Sequence, residues 1–521
     1  MKRPQWPAKC FLSPVRIILA GLLLSQLFLA LLVFRSNTQL LDRLAAIAAA
    51  GYQPVPNASV MAGLDGFLPA FCGGLFFTLT LGAGLSFASF ILICLWHDPG
   101  RRHPLGLLPL LLLWALAIVQ ALGTDHPLTL GAFFLLIPSF VSVLTCKWLN
   151  ENYPRSADFS FFSFSRLIRG PLIRGGLVHA AVISGIILIW LPNFNARVFI
   201  NIRDQLLLNN TAGGWVNDFY YNYTLYPAEV IKTLRQKQLN TSRIRVREAS
   251  LSARLEKTLR RLDYLPLKQN APVDLLLRQT GRQLLLCHQG RTIVETSPAR
   301  FLAAPESFLK TFSRKTDRMA FLRKATMISL MAAAPLLLYI LIHGAFKTLL
   351  LFFIRSRRFA RTGSGLICLG IAALLALPLY PFAKSTSTNL NRRQLAVHLD
   401  SVQPAARLRA LKQMAASRSV PLPLPPPVFT LKDSPWPAER YWAAKVMGRS
   451  DSQKAAKVLQ GMLSDPHLNV VCAAISGLAR THDPTAVPVL REILVSSEHW
   501  YVQLYAYKGL KELGWSQPES V

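Results

Sequence analysis

Acidic residues are scarce in this chain of 521 residues: 26 Asp and Glu stand against 58 Lys and Arg, a formal net charge of +32. Charge of either sign is scarce too, at 16% of residues, where soluble domains carry about 25%. Hydrophobic residues make up 52%. A single ordinary soluble domain is excluded both by length and by composition. The basic excess does not point to nucleic acid, because Lys and Arg flank long apolar runs, where they orient a chain in a bilayer. No nucleic-acid partner is expected, and membrane lipid is.

Paired cysteines are missing as well. The seven cysteines show no CxxC or metal-type spacing, so neither a disulfide framework nor a metal site is expected. Cys10 precedes the first apolar run, and only Cys287 and Cys472 lie in soluble-type segments; they are the one pair left open to a bridge. There is no Walker A loop, GxSxG, HExxH or CxxCH haem site. No catalytic residue, cofactor or metal is assigned. Asp, Glu, Lys and Arg are absent from every apolar run, which weakens a coupled-transporter reading.

What the chain does have is apolar runs near the roughly 20 residues that a spanning helix needs. Seven qualify or nearly do: 17–34, 67–96, 105–122, 128–146, 175–191, 325–346 and 363–383. Backbone groups in hydrocarbon must pair internally, so these runs are expected to be helices. The second is long and Gly-rich and is expected to tilt or kink. Lys2, Arg3, Lys9 and Arg16 precede the first run, but no small-x-small site follows it, so it reads as an uncleaved anchor. Basic loops follow the even-numbered runs: Arg101 and Arg102; then Lys147, Arg155, Arg166, Arg169 and Arg174; then Lys347, Arg355, Arg357, Arg358 and Arg361. The loop 123–127 has no Lys or Arg. This charge pattern predicts a multi-pass protein of the bacterial inner membrane, with a cytoplasmic N-terminus and an extracytoplasmic, periplasmic C-terminus.

The expected organisation is a membrane region over 1–192, an extracytoplasmic α+β domain over 193–323, two further spans over 324–383, a helix plus Pro-rich linker over 384–434, and helical repeats over 435–521. In the α+β region, Val273–Leu277, Gln283–Cys287 and Thr292–Glu295 read as strands separated by Gly-containing turns. Arg254–Leu262 has helix-favouring composition. A helix is expected at Ala405–Ser417, followed by an extended proline run, Pro421–Pro427.

Three segments then align: Arg440–Gly448 (RYWAAKVMG), Val470–Leu478 (VVCAAISGL) and Val502–Leu510 (VQLYAYKGL). Ala444, Ala474 and Ala506 correspond, 30 and 32 residues apart, the period of helix-pair repeats. Partner helices are expected at Ala455–Leu463 and Ala486–Leu494, with Asp465-Pro466 and Asp483-Pro484 at turns. The region of about 435–515 resembles the short, PBS-lyase-type HEAT repeats of many bacterial proteins. The run Asp465–Leu490 carries the likeness best, and Val471 departs from it where Arg is common. The resemblance implies a stacked-helix surface for protein partners rather than chemistry. Three units are near the minimum for stability, so the module is expected to lean on Ala405–Ser417 or on the α+β region.

Aromatic residues are the main candidate interaction sites. Trp215, Phe219, Tyr220, Tyr221, Tyr223 and Tyr226 form the densest cluster; the repeats add Tyr441, Trp442, Trp500 and Tyr501. Packing at a membrane interface is the first reading for the cluster, ahead of a partner site, because Tyr and Trp satisfy both an apolar body and a polar tip there. The basic stretch Arg243, Arg245, Arg247, Arg254, Lys257, Arg260 and Arg261 reads first as a solvated face, and next as a grip on anionic headgroups or glycan. His179 and His343, inside apolar runs, read as neutral hydrogen-bonding groups between helices. The leading functional expectation is a scaffold or adaptor in an envelope complex. The alternatives are a transport or permease subunit lined by the Gly-rich run, and a membrane enzyme acting on a lipid-linked substrate through Asp65, Asp125 and His126.

Overall fold

The computed structural model describes residues 13–96, 108–152, 171–193, 198–267, 271–354, 356–380, 390–417, 423–450 and 452–518. Lys2, Arg3, Lys9, Cys10, Arg101, Arg102, Arg155, Arg166, Arg169, Arg355 and Pro421–Leu422, all singled out above, lie outside them. The chain forms two compact units, each built from three separate stretches. The first comprises Met1–Val33, Phe71–Val198 and Arg318–Ala383, and the second Phe34–Ala70, Phe199–Asp317 and Lys384–Val521.

In the first unit the described parts of the apolar runs are helical. Among the described residues, five helices are long and apolar enough to cross a membrane: Pro14–Ala49, Phe67–Cys94, Pro127–Glu151, Ala320–Phe353 and Arg358–Leu379. A sixth is counted if Leu177–Asn193 and Val198–Leu207 are taken as one bent span. Among the described residues, seven full-length spanning helices are therefore not seen. The run 105–122 contributes Leu108–Leu122, 15 residues, or about 23 Å at 1.5 Å per residue, against a hydrocarbon core of about 30 Å.

The Gly-rich run is interrupted by a π-helical turn, Thr78–Gly82. Its glycines are used for helix packing rather than for lining a path. A Cβ on Gly74 would lie 2.9 Å from the Ala30 backbone, and one on Gly82 would lie 2.7 Å from Ser25 Cβ. A Cβ on Gly84 would overlap the Ser329 side chain. Small residues let helices approach closely where no hydrophobic effect drives them together. Polar groups pair across the same contact: Gln26 Nε2 donates to the Phe71 carbonyl at 2.7 Å, and Thr78 Oγ1 donates to Gln26 Oε1 at 2.6 Å.

The second unit contains a mixed five-stranded sheet in the order β2-β1-β3-β4-β5, where β1 is Asn240–Arg245, β2 Tyr264–Pro266, β3 Leu275–Thr280, β4 Gln283–His288 and β5 Arg291–Thr296. The last three strands are an antiparallel meander. Gln289 and Gly290 both have positive φ (49° and 78°), the pair of conformations a two-residue hairpin turn with the correct twist needs. The first two strands run parallel, so they require a crossover, and the helix Ala249–Arg261 supplies it. Leu251, Leu255 and Leu259 line its inner face and share a core with Leu277, Leu286, Phe301 and Phe312. Arg254, Lys257 and Arg261 lie on its exposed face.

The repeats follow as Pro437–Met447, Gln453–Gly461, Leu468–Arg480, Ala486–Ser496 and Trp500–Glu512. Ala444, Ala474 and Ala506 are fully buried. The module is closed at both ends. Leu395 and Leu399, with Ala410, Leu411 and Met414 of the helix Pro404–Ala416, extend the core of the first repeats. Ile47, Tyr52 and Val55, with Leu239 and Leu265 beside the sheet, extend that of the last. The end of the proline run is not an extended linker. Pro426–Thr430 is helical, proline being well suited to a first turn, and Leu424, Val428 and Leu431 are buried in the repeat core. Cys287 and Cys472 are both free thiols, buried apart in β4 and in Leu468–Arg480.

Two stability predictions follow from these contacts. A Cβ on Gly448 would overlap the Gly477 Cα, where two repeat helices touch. Gly448→Val is expected to cost about 1–3 kcal/mol, read as a shifted denaturant midpoint by tryptophan fluorescence. Burial alone would raise the pKa of the Asp274 carboxyl, but Arg43 and Lys237, with hydrogen bonds from the Thr241 backbone and hydroxyl, outweigh it and hold the group below the usual carboxylate range. A depressed folded pKa contributes stability above the unfolded value, about 3.9, and loses it as pH falls through the folded one. Asp274→Asn is expected to be less stable than the parent at pH 7 and to show a flatter acid limb below about pH 4. Equal acid limbs would show that Arg43 and Lys237 do not act on this group.

A candidate interaction surface on the helical repeats

Two of the repeats carry an ordered polar cluster where their first helix begins. Ser434 Oγ donates to Glu439 Oε2 at 2.6 Å, and Arg407, from the preceding helix, grips the same buried carboxylate through Nε (3.0 Å) and a terminal nitrogen (2.9 Å). Arg440 then holds Asp465 in a two-point contact at 2.6 and 3.0 Å, while Asp465 Oδ1 accepts from the His467 backbone at 2.8 Å. Planar guanidinium matched to carboxylate fixes distance and angle together, so the clamp sets the spacing of successive repeats.

Residues 199–231 dock on these repeats through one buried carboxylate. Asp204 is fully buried. It accepts from Arg203 Nε and a terminal guanidinium nitrogen at 2.8 and 2.7 Å, from Trp442 Nε1 at 2.8 Å and from Lys412 Nζ at 2.7 Å. The Arg203 guanidinium lies 4.0 Å from the centre of the Tyr441 ring, and Lys412 also donates to Asn201 Oδ1 at 3.1 Å. Nearby, burial lowers the Lys445 pKa, reinforced by Arg480 and Arg203. Burial pushes the Cys472 thiol up to about 12.

The helix Thr211–Tyr223 follows, with its start capped by the Asn210 side chain. Asn217, on its inner face, donates from Nδ2 to Asn469 Oδ1 at 2.9 Å, and both residues are buried. The Thr224 and Tyr501 hydroxyls are 2.8 Å apart. Tyr221 packs on Tyr501 with ring centres at 4.8 Å, and Tyr226 meets Trp500 edge-on at 5.6 Å.

The structure thus divides the ten aromatic residues. Tyr221, Tyr226, Tyr441, Trp442, Trp500 and Tyr501 form a seam within the chain, buried or half-buried. Tyr223 bridges Phe219 and Tyr226 at 4.9 and 6.2 Å. Trp215, Phe219 and Tyr220 face outward with Val216, at 72, 41, 51 and 58% exposure. Their i, i+1, i+4, i+5 spacing places them on one side of the helix. Tyr220 also reaches the Tyr501 ring, 6.2 Å away, which couples the outer face to the seam. Asp204, Lys412 and Asn469, which position this face, carried no sequence signal, since a buried ion pair far apart in the chain has no local spacing. Of the alternative chemical set, Asp65 belongs to the second unit, and Asp125 and His126 to the first. Asp125 is 3.8 Å from Arg318.

Residues 425–511 match the sequence model of the HEAT-repeat family. The match begins ten residues ahead of the aligned repeats and so takes in the helical turn Pro426–Thr430. HEAT repeats suggest a protein-interaction module. Comparison with curated proteins and with solved structures returns no match for the chain.

Asp204→Ala leaves Arg203 and Lys412 buried without their counter-charge, a change that costs about 3–5 kcal/mol. The expected result is earlier cleavage around residues 199–231 in limited proteolysis of the full chain. Unchanged cleavage would mean that Asp204 does not hold this segment on the repeats.

Proposed function

We propose that the chain is a non-enzymatic, membrane-anchored adaptor. It presents one composite surface to a protein partner: the HEAT repeats with the helix Thr211–Tyr223 fixed upon them. The observation that carries this reading is the outer face of Trp215, Val216, Phe219 and Tyr220. A contiguous apolar face on a well-anchored helix marks an interaction site, and Trp and Tyr supply much contact area at low entropy cost. The permease reading loses support because the glycines of the second run are occupied by Ala30, Ser25 and Ser329. Photo-crosslinking amino acids at 215 and 219 in cells are expected to capture a protein, and the same probe at Tyr226, inside the seam, is not. Capture of lipid alone at 215 and 219, or of nothing, would sink the adaptor reading.

The topology we propose has seven crossings, with the N-terminus in the cytoplasm and the whole second unit outside, in the periplasm of a bacterial inner membrane. The basic loops after the even-numbered runs support the direction, and two observations support the number of crossings. The stretches 34–70, 199–317 and 384–521 pack into one unit, as in the hydrogen bond from the Asn57 backbone to Gln503 Oε1 at 2.8 Å. They therefore share one side of any bilayer, and an even number of crossings separates each from the next. Leu108–Leu122 and Leu177–Asn193 then either both cross or both do not. Asp125 follows the first of these helices and lies 3.8 Å from Arg318, which opens the helix Ala320–Phe353. Without a crossing by Leu108–Leu122, those two residues would belong to opposite faces of the bilayer. Reporter fusions after Arg102, Arg169 and Arg358 are expected inside, and one after Val521 outside. An outside signal at Arg169 would reduce the count to five, and an inside signal at Val521 would reverse the placement of the repeats.

A further inference from the structure

Three helices of the first unit, Pro171–Trp190, Ala320–Phe353 and Arg357–Ala376, bring together polar side chains that the adaptor role leaves unused. His179 Nδ1 is 2.8 Å from the Tyr339 hydroxyl. The His179 and His343 rings meet edge-on at 4.7 Å. His343 Nε2 is 2.9 Å from Ser364 Oγ and 3.3 Å from the Arg361 carbonyl, and Ser364 Oγ itself donates to that carbonyl at 2.9 Å. The Ser364 proton is thereby used. Nε2 of His343 must be the donor to both oxygens, and its Nδ1 stays open. His343 and Ser364 are buried.

The charge around this cluster has one sign. Arg361 and Lys347 act on both imidazoles, and no carboxylate among the described residues does. Arg361 Nε is buried without a hydrogen-bond partner among the described residues. A buried guanidinium nitrogen with no acceptor among the described residues, beside a second cation and two imidazoles, is a costly arrangement that an anion would complete. The cluster lies where the helices Pro171–Trp190 and Arg357–Ala376 begin and toward the end of Ala320–Phe353. Lys347 and Arg361 stand just outside the apolar stretches 325–346 and 363–383, at the depth of lipid headgroups.

We infer that His179, His343, Lys347 and Arg361 form a binding site for a phosphate group at one end of the helix bundle, carried by a lipid. A phosphate offers several strong acceptor oxygens to Lys347, to Arg361 and to His179 Nε2–H when Nδ1 accepts from Tyr339, and its charge favours a proton on the open His343 Nδ1, which then donates as well. This site stands apart from the adaptor reading and does not depend on it.

The test uses the full chain in detergent, titrated with dioctanoyl phosphatidic acid, dioctanoyl phosphatidylcholine and inorganic phosphate by calorimetry. Phosphatidic acid is expected to bind at least tenfold more tightly than phosphatidylcholine. Arg361→Gln and His343→Ala are each expected to weaken it at least fivefold, measured well below each variant's own melting temperature, with Arg314→Gln, on an exposed position of the second unit, as the control that changes nothing. Inorganic phosphate binding as tightly as phosphatidic acid would support the site and name the free anion as its source. If Arg361→Gln fails to fold, Arg361→Lys carries the test, with binding intermediate between the parent and His343→Ala. Equal binding of the two lipids, no binding of either phosphate compound, or variants that bind like the parent would each overturn the site.

Discussion

A carboxylate with no access to water must be satisfied by the protein, and Asp204 places that demand on three parts of the second unit at once. Arg203 beside it, Lys412 from the helix that closes the repeats, and Trp442 from the first repeat must all arrive in register. A pair of charges of this kind contributes little net stability against an apolar equivalent, but a wrong arrangement is heavily penalised. The contact therefore works as a geometric specification. It decides how the aromatic helix lies on the repeats, and so which of its aromatic rings are spent inside the chain and which remain outside.

The same logic explains why the repeats stand with so few units. A short stack of helix pairs leaves two apolar ends. Here one end is covered by Leu395, Leu399 and the helix Pro404–Ala416, the other by Ile47, Tyr52 and Val55 together with Leu265 of the sheet. Along the stack, the Arg407–Glu439 and Arg440–Asp465 clamps fix one turn to the next. The Tyr507 hydroxyl and Lys511 both reach Asp263 Oδ1, at 2.6 and 3.0 Å, which ties the last repeat to the turn before β2. Burial raises the Asp263 pKa, against the opposing pull of Tyr507 and Lys511.

Legibility in the sequence followed locality. The repeat was readable because Ala444, Ala474 and Ala506 recur at a fixed period, and the apolar runs because a helix in hydrocarbon has no other way to pair its backbone. The meander was partly readable from Gly281 and Gln289-Gly290. β1 and β2 were not, since β2 is three residues long and β1, reading NTSRIR, does not alternate in polarity. The proline run misled because it ends on a helix start, where proline is welcome. Residues 34–70 carried no sign that Ile47, Tyr52 and Val55 would be core for a repeat near the C-terminus. Aromatic density marked the right region but could not separate Trp215 from Trp500, one outward and one in the seam, because that depends on Asn469 and Asp204.

The distance along the chain between those partners has a kinetic meaning. Asn57 bonds to Gln503, 446 residues later. At roughly 5–20 residues per second of synthesis, on the order of 20–90 s separate the emergence of the two. Through that interval the apolar side of Ile47, Tyr52 and Val55 has no repeat to cover it, and the sheet waits for Tyr507. The last repeat is thus a closing piece. Translation must pass the helix Trp500–Glu512 before Ile47, Tyr52 and Val55 can be buried, and a product truncated ahead of it, left with that surface open, is a form a cell's quality control would recognise.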